Sequence, residues 1–282
     1  MDNNPDKVEV AIVMDSTGSM QTWIDSASDT VLEAFNTLQN EHPNATFRLA
    51  CVCYRDIGDE IPFIIVPFTE DISEVQTTLK NVKALGGSDE TEDVAGALEK
   101  VLKLEWSQDA CKLVLWVCDA PAHGSIYHSS SVGDRYPKGD PNGLEPSEQI
   151  KELSSKGIDF TMFRINHSID KMVEIFSSIY ESIDKSFFTL LDVVKQDDKY
   201  KKIDLYDSSI ISGFIDLSTY DKYKKIDLYD SSIISGFIDL STYDDYTYDY
   251  GKKEVSTTND KSSFCTATVE SVRKTIERFC KK

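Results

Sequence analysis

Val8-Glu-Val-Ala-Ile-Val-Met-Asp-Ser-Thr-Gly-Ser-Met20 is the stretch that decides the fold. Its first residues are apolar and β-branched with no sustained polar alternation, the pattern of a strand covered on both faces. The run stops at a carboxylate, Asp15, and a short turn rich in hydroxyls follows. Beyond it Trp23, Ile24, Ala27, Val31, Leu32, Phe35 and Leu38 recur at steps of three and four, which predicts a helix. Strand, loop and helix in that order open a βαβ unit.

Working outward, Thr46–Tyr54 (TFRLACVCY) and Ile61–Phe68 (IPFIIVPF) read as strands. The link Arg55–Glu60 between them is too short for a parallel crossover, so a hairpin at the sheet edge is expected. Helices are expected over 72–82 and, after Gly86-Gly87, along the face formed by Val94, Ala97, Leu98, Val101 and Leu102. Lys112–Asp119 (KLVLWVCD) repeats the opening pattern, an apolar run ending in an acid. A helix over 146–155, a strand over 158–165, a helix over 169–183 and a strand over 187–194 continue the alternation. Val269, Val272, Ile276 and Phe279 predict a closing helix that packs back on the sheet.

This order implies an α/β fold: a doubly wound, mostly parallel sheet with helices on both faces, Rossmann-like in architecture. Residues 7–194 form the domain, 195–262 an insertion and 263–282 the closing helix. Such folds bind ligands beyond the carboxyl ends of the strands where the strand order reverses. Asp15 and Asp119, each ending an apolar run, are the candidates for that crevice.

The insertion carries KYKKIDLYDSSIISGFIDLSTYD twice without one change, at 199–221 and 222–244. Identity over the whole unit points to a recent duplication, because packing alone leaves surface positions free to vary. Its Ile, Leu, Phe and Tyr residues, broken by Ser-Ser and Ser-Gly, predict short strands or hairpins appended to the domain. Two copies fall short of the three or so that a free-standing solenoid needs.

The net charge of −19 over 282 residues excludes a nucleic-acid partner, which requires a basic footprint. Met1–Asp6 lacks the basic and apolar regions of a secretory signal, and no run is long and apolar enough to span a bilayer. The six cysteines, Cys51, Cys53, Cys111, Cys118, Cys265 and Cys280, read as buried thiols rather than a disulfide framework. A cytoplasmic protein with no membrane insertion is expected.

Asp15-Ser-Thr-Gly-Ser-Met20 sets a carboxylate beside two neutral hydroxyls, Thr17 and Ser19. Oxygen donors at alternate positions can share one face toward a hard cation such as Mg²⁺. The competing reading is a helix cap by Thr17 or Ser19. After Asp119, a long polar loop holds His123, His128, Asp134 and Asp140. These are ligand and proton-transfer types, but the favoured expectation is a loop satisfying its own backbone. Arg55-Asp56 is expected to form a structural ion pair with a neighbouring loop.

Taken with VMDSTGSM (13–20), CYRDIGD (53–59), GGSDETEDVAGAL (86–98), CDAPAHG (118–124) and YPKGDPNGL (136–144), in that order, the chain resembles the von Willebrand factor A domain. It is most similar to the subset found beside alpha-type protein kinases and in some matrix proteins. The resemblance implies a metal-ion-dependent adhesion site in which Asp15, Thr17 and Ser19 form the first loop and Asp119 reaches the ion through water. In the second loop it implies Glu92 first, Asp89 second and Thr91 third, where many relatives place a neutral Thr. The implied cofactor is Mg²⁺, or Mn²⁺ or Ca²⁺, and the implied partner is a protein that offers an Asp or Glu to the ion.

Catalytic alternatives are weaker. The aspartic-protease triplet lacks its spacing and its second copy, and no Gly-x-Ser-x-Gly or Gly-x-x-x-x-Gly-Lys-Ser/Thr is present. A non-enzymatic binding module is expected. A regulatory relative of alpha-kinase-linked domains, or a scaffold binding through the repeats, is the alternative.

Overall fold

A computed structural model describes residues 5–183, 185–192 and 261–281, together with the backbone of three short strands at 214–215, 237–238 and 255–257. The chain divides into two units, residues 1–195 with 250–282, and residues 196–249. The strands, in chain order, are β1 (Lys7–Asp15), β2 (Thr46–Tyr54), β3 (Phe63–Thr69), β4 (Cys111–Cys118), β5 (Asp159–Arg164), β6 (Phe188–Asp192), β7 (Phe214–Ile215), β8 (Phe237–Ile238) and β9 (Val255–Thr257).

In the first unit the sheet order is β3-β2-β1-β4-β5-β6-β9, parallel throughout except for β3. The expected hairpin is β2–β3, at the sheet edge, with a register shift between Leu49 and Cys51. β3 begins at Phe63 rather than Ile61 because the Ile61 carbonyl serves Arg55 and the Pro62 carbonyl accepts the Arg55 amide.

Helices cover both faces. α1 (Gln21–Glu41), α2 (Ile72–Asn81) and α6 (Lys261–Cys280) share a core with Val10, Ile12 and Met14. α3 (Val94–Leu102), α4 (Pro146–Ser155) and α5 (Asp170–Ile183) share the other with Ala11 and Val13. Successive β1 side chains thus feed opposite cores, which is why the strand shows no polar alternation. Burial of each large aliphatic side chain stabilises the domain by about 1.5–3 kcal/mol. Trp116 on β4 is fully buried, stacked on Phe160, and its indole N–H donates to the Tyr54 hydroxyl at 3.2 Å.

α6 starts earlier than its apolar spacing predicted, at Lys261, and sends Phe264, Val272 and Ile276 into the α1 side of the sheet. Cys51, Cys53, Cys111 and Cys118 are buried, whereas Cys265 and Cys280 are only partly so, a correction that follows from their places on the flank of α6. All six are free thiols. Most of the insertion, including the larger part of both repeats, lies outside the described residues. In the second unit β7 and β8 form a parallel pair of their own.

Candidate functional site

The strand order reverses between β1 and β4: the chain winds outward to β2 and β3 on one side and to β5 and β6 on the other. Asp15 ends β1 and Asp119 directly follows β4, with Met14 opposite Val117 in the register. Both acids therefore stand at the crevice that this topology creates.

Asp15 is fully buried. Its Oδ1 accepts the Thr17 backbone N–H at 2.9 Å and the Thr17 hydroxyl at 2.8 Å, while its Oδ2 has no hydrogen-bond partner. No side chain caps α1, whose N-cap is Met20, so the Thr17 and Ser19 hydroxyls are not consumed as the capping reading would require. Ser19 instead stands beside the Asp119 carboxyl, whose ionised form it favours.

The second loop reaches the same place by a different route. Glu92 N–H donates to the Pro121 carbonyl at 3.0 Å, and Glu92 bridges Ala122 in a parallel β-bridge, which stitches this segment to the loop after β4. Its side chain is buried near the first loop, and its Oε2 is also unpartnered. Gly87 makes the approach possible: at φ +77° a Cβ there would lie 2.9 Å from Glu92 Oε1 and 3.3 Å from Thr17 Cβ.

Asp89 is occupied elsewhere. Its Oδ1 accepts from Thr91 N–H and Oγ1, and its Oδ2 accepts the Arg135 amide at 2.6 Å. Thr91 is fully buried with its hydroxyl 2.7 Å from His123 Nδ1. Of the three second-loop candidates, Glu92 is the one turned toward Asp15.

The electrostatics follow from this packing. Burial first, and then the neighbouring charge of Asp119, pushes the Asp15 carboxyl up to about 7, against the hydrogen bonds from Thr17. Burial, with Asp15 and Asp56 nearby, pushes Glu92 up to about 10. Burial also raises Asp119, while Ser19 opposes it. Three carboxyl groups raised by burial, with Asp119 further raising Asp15 and Asp15 further raising Glu92, two of them with a buried unpartnered oxygen, form an all-oxygen set short of positive charge. That donor chemistry fits a hard divalent cation.

Beside this site the loop after β4 forms a closed network. His123 Nε2 lies 2.9 Å from Asp56 Oδ1 and its Nδ1 2.8 Å from Asp134 Oδ1, while His128 Nε2 lies 3.0 Å from Asp134 Oδ2. Burial opposes ionisation of Asp134, but hydrogen bonds from His123, the Gly124 amide and His128 hold it down at about 2. Asp140 accepts the amides of Asn142 and Leu144. One donor atom each from Asp56, Asp89 and His123 lies within 4.8 Å of the others, with His123 already committed on both ring nitrogens. Thr91, His123 and Asp56 fall in a line that resembles a nucleophile–base–acid relay, but Thr91 is fully buried and out of a substrate's reach.

The expected Arg55 ion pair is not what the structure holds. Arg55 donates to three carbonyls, Ile61 and Lys83 at 2.9 Å each and Ser16 at 3.4 Å, and it is Asp56 that meets a basic partner, His123. Main-chain carbonyls leave no mark in a sequence, whereas the three loops Arg55 joins are those around Asp15, the β2–β3 turn and the approach to Gly87.

An α/β domain with acid and hydroxyl groups converging at its strand-order switch point defines a ligand-binding class, and the comparisons specify the family. Residues 9–131 match the model of the von Willebrand factor A domain. It is 25% identical over 181 residues to the alpha-protein kinase vwkA of Dictyostelium discoideum, covering 64% of this chain and 29% of that protein. It is 28% identical over 156 residues to the putative ariadne-like RING finger protein R811 of Acanthamoeba polyphaga mimivirus, covering 53% and 14%. The chain thus spans less than a third of either relative's length. Among solved structures, the pilus adhesin SpaC of Lactobacillus rhamnosus GG in its open conformation aligns over 64% of this chain and 28% of its own, with TM-score 0.47 and 13% identity. Among the described residues no helix is long and apolar enough to cross a membrane.

Proposed function

We propose that this domain is a divalent-cation-dependent protein-binding module, with Asp15, Thr17, Ser19, Glu92 and Asp119 holding Mg²⁺, or Mn²⁺ or Ca²⁺. The observation that carries the reading is the pair of buried, unpartnered oxygens, Asp15 Oδ2 and Glu92 Oε2, in one cluster of carboxyls that burial raises. A bound cation supplies an open position that a partner's Asp or Glu can fill. The chain's own residues set the terms. Thr17 orients Asp15, Ser19 stands beside Asp119, Gly87 brings Glu92 close, and the Glu92–Ala122 bridge keeps the second and third loops in step. The third carboxylate reduces the net positive charge an incoming anion meets, so capture is weaker than at a site with a neutral Thr in the second loop.

Similarity to vwkA over 181 residues supports a second, compatible reading, in which the module acts as a regulatory relative of kinase-linked domains rather than as an enzyme. Six free thiols suit a reducing, cytoplasmic setting. Isothermal titration with Mg²⁺ and Mn²⁺, beside thermal unfolding of the parent and Asp15→Ala, tests the metal reading. A site filled to about a hundred times its Kd raises stability by about 2.7 kcal/mol. Heat and midpoint shift in the parent, both lost in Asp15→Ala, are expected; no shift in either protein overturns the reading.

A further inference from the structure

Four large hydrophobic side chains stand exposed among the described residues, Ile61, Ile65, Leu85 and Ile126, and the backbones of two of them meet at one guanidinium. Arg55 donates from Nη1 to the Ile61 carbonyl and from Nη2 to the Lys83 carbonyl, at 2.9 Å each. Its Nε shares the Ser16 carbonyl with the Leu85 amide, which lies 3.1 Å from that oxygen. Ile61, 52% exposed, and Leu85, 59% exposed, are thus pinned around Ser16, the residue between Asp15 and Thr17. Scattered surface hydrophobics need no explanation, but a fixed pair beside a candidate binding site does.

Leu85 opens an exposed run, Leu85-Gly86-Gly87-Ser88, that lies along the first loop. The Gly86 carbonyl is 3.6 Å from where Gly18 would carry a Cβ, and Gly87 lies against Thr17 and Glu92. The Gly87 N–H donates to Asp59 Oδ2 at 3.2 Å and the Ser88 hydroxyl to Asp56 Oδ2 at 2.8 Å, so the run is held in place before any partner arrives. At its far end the exposed Arg135 donates from Nη1 to Ser88 Oγ at 2.7 Å. An aliphatic pair stands at one end of the run, a guanidinium at the other, and the candidate cation site adjoins Gly87 between them.

We propose that this run is the docking ridge for the partner, and that its occupant is a peptide segment with an aliphatic residue on one side of the Asp or Glu that meets the cation and a second Asp or Glu on the other. The footprint rests on the cation reading of Asp15 and Glu92 and adds a sequence preference to it. An aliphatic side chain laid over Ile61 and Leu85 removes apolar area from water. The planar fork of Arg135 matches a carboxylate. Charge complementarity argues for that second acid: a chain of net −19 repels acidic segments in general, so one that docks must meet its positive groups locally, and Arg135 is such a group beside the site.

The probe is an immobilised array of peptides with a fixed central Asp and flanking positions varied one at a time over all amino acids, read with the labelled full chain in millimolar Mg²⁺ and in EDTA. Capture is expected in Mg²⁺, strongest where one flank is Leu, Ile or Val and the other Asp or Glu. Leu85→Ser should lower the aliphatic preference about tenfold, the worth of one side chain returned to water. Arg135→Gln should lower the acidic preference about threefold, as for an exposed ion pair, and Arg135→Lys should restore part of it. Each variant should keep the other preference, the parent's Mg²⁺ heat in titration and its melting midpoint. Mg²⁺-dependent capture with no flanking preference, or preferences that survive both substitutions, overturns the proposal and leaves the cation reading standing. So does an array that captures nothing while titration shows Mg²⁺ bound. Absence of Mg²⁺ heat in the parent, or capture unchanged by EDTA and by Asp15→Ala, removes the cation reading and this footprint with it.

Discussion

Asp15 and Glu92, both buried, each leave one carboxylate oxygen, Oδ2 and Oε2, without a hydrogen-bond partner. The acids come from segments 77 residues apart in sequence and meet because Glu92 is bridged to Ala122, just beyond β4. Oxygens buried without a partner are neutralised by protonation or by a cation.

Replacing Glu92 by Gln keeps the shape while removing a carboxyl that burial pushes up to about 10, so that the metal-free fold must take up a proton to bury it. In EDTA near neutral pH, Glu92→Gln is expected to raise stability by about 1 kcal/mol, because the amide is buried without that protonation. In Mg²⁺ the same variant should gain less than the parent, so the order of their melting midpoints narrows or inverts. Paired thermal scans with and without metal measure this.

The pH dependence of the metal-free protein has a definite sign. Asp15 has a folded pKa of about 7, raised above the ordinary value of about 3.9 for an unfolded Asp. Between those values the folded state binds more protons, so stability falls as pH rises from about 4 through about 7. Urea unfolding in EDTA should show that decline, and saturating Mg²⁺ should flatten it. Asp15→Asn should lose the dependence in EDTA.

Gly87→Ala places a methyl group at a backbone φ of +77°, 2.9 Å from Glu92 Oε1. The strain costs about 1–2 kcal/mol. Glu92 must also retreat from Thr17, so Mg²⁺ affinity measured by titration should fall more than it does for Gly139→Ala, where φ is +101° and a Cβ meets nothing within 4 Å.

Arg55→Met strands the carbonyls of Ile61 and Lys83 without their shared donor and takes one of two donors from Ser16, whose carbonyl also accepts the Leu85 amide. A loss of about 2–4 kcal/mol in denaturant unfolding is expected, as for other buried charged hydrogen-bond networks. Arg55→Lys should recover only part of it, because an ammonium lacks the planar fork that spans three loops.

The fold was legible because its signals are local. β1 and β4 are unbroken apolar runs ended by acids, and the short Arg55–Glu60 link dictates the hairpin. Asp15, Thr17 and Ser19 could be read together for the same reason, since they lie within five residues. The second loop was ambiguous, with Asp89, Thr91 and Glu92 all of suitable chemistry. What separates them is distant: the Arg135 amide takes Asp89, His123 meets Thr91, and Ala122 turns Glu92 inward. The Asp56–His123 contact joins positions 67 apart, and nothing local announces it. β9 was missed because three residues, Val-Ser-Thr, carry too little periodicity to mark a strand.

That short strand decides how the insertion can evolve. β9 lies beside β6, with Val255 opposite Leu190 and Thr257 opposite Asp192, so the segment between them leaves and rejoins the sheet at neighbouring points. The closure entropy of such a segment grows only with the logarithm of its length, about 0.6 kcal/mol for each doubling. Copy number of the 23-residue unit is therefore a nearly neutral variable for the domain. Gain or loss of a copy by unequal recombination would change the size of the appendage while leaving the acids at the ends of β1 and β4 where they are.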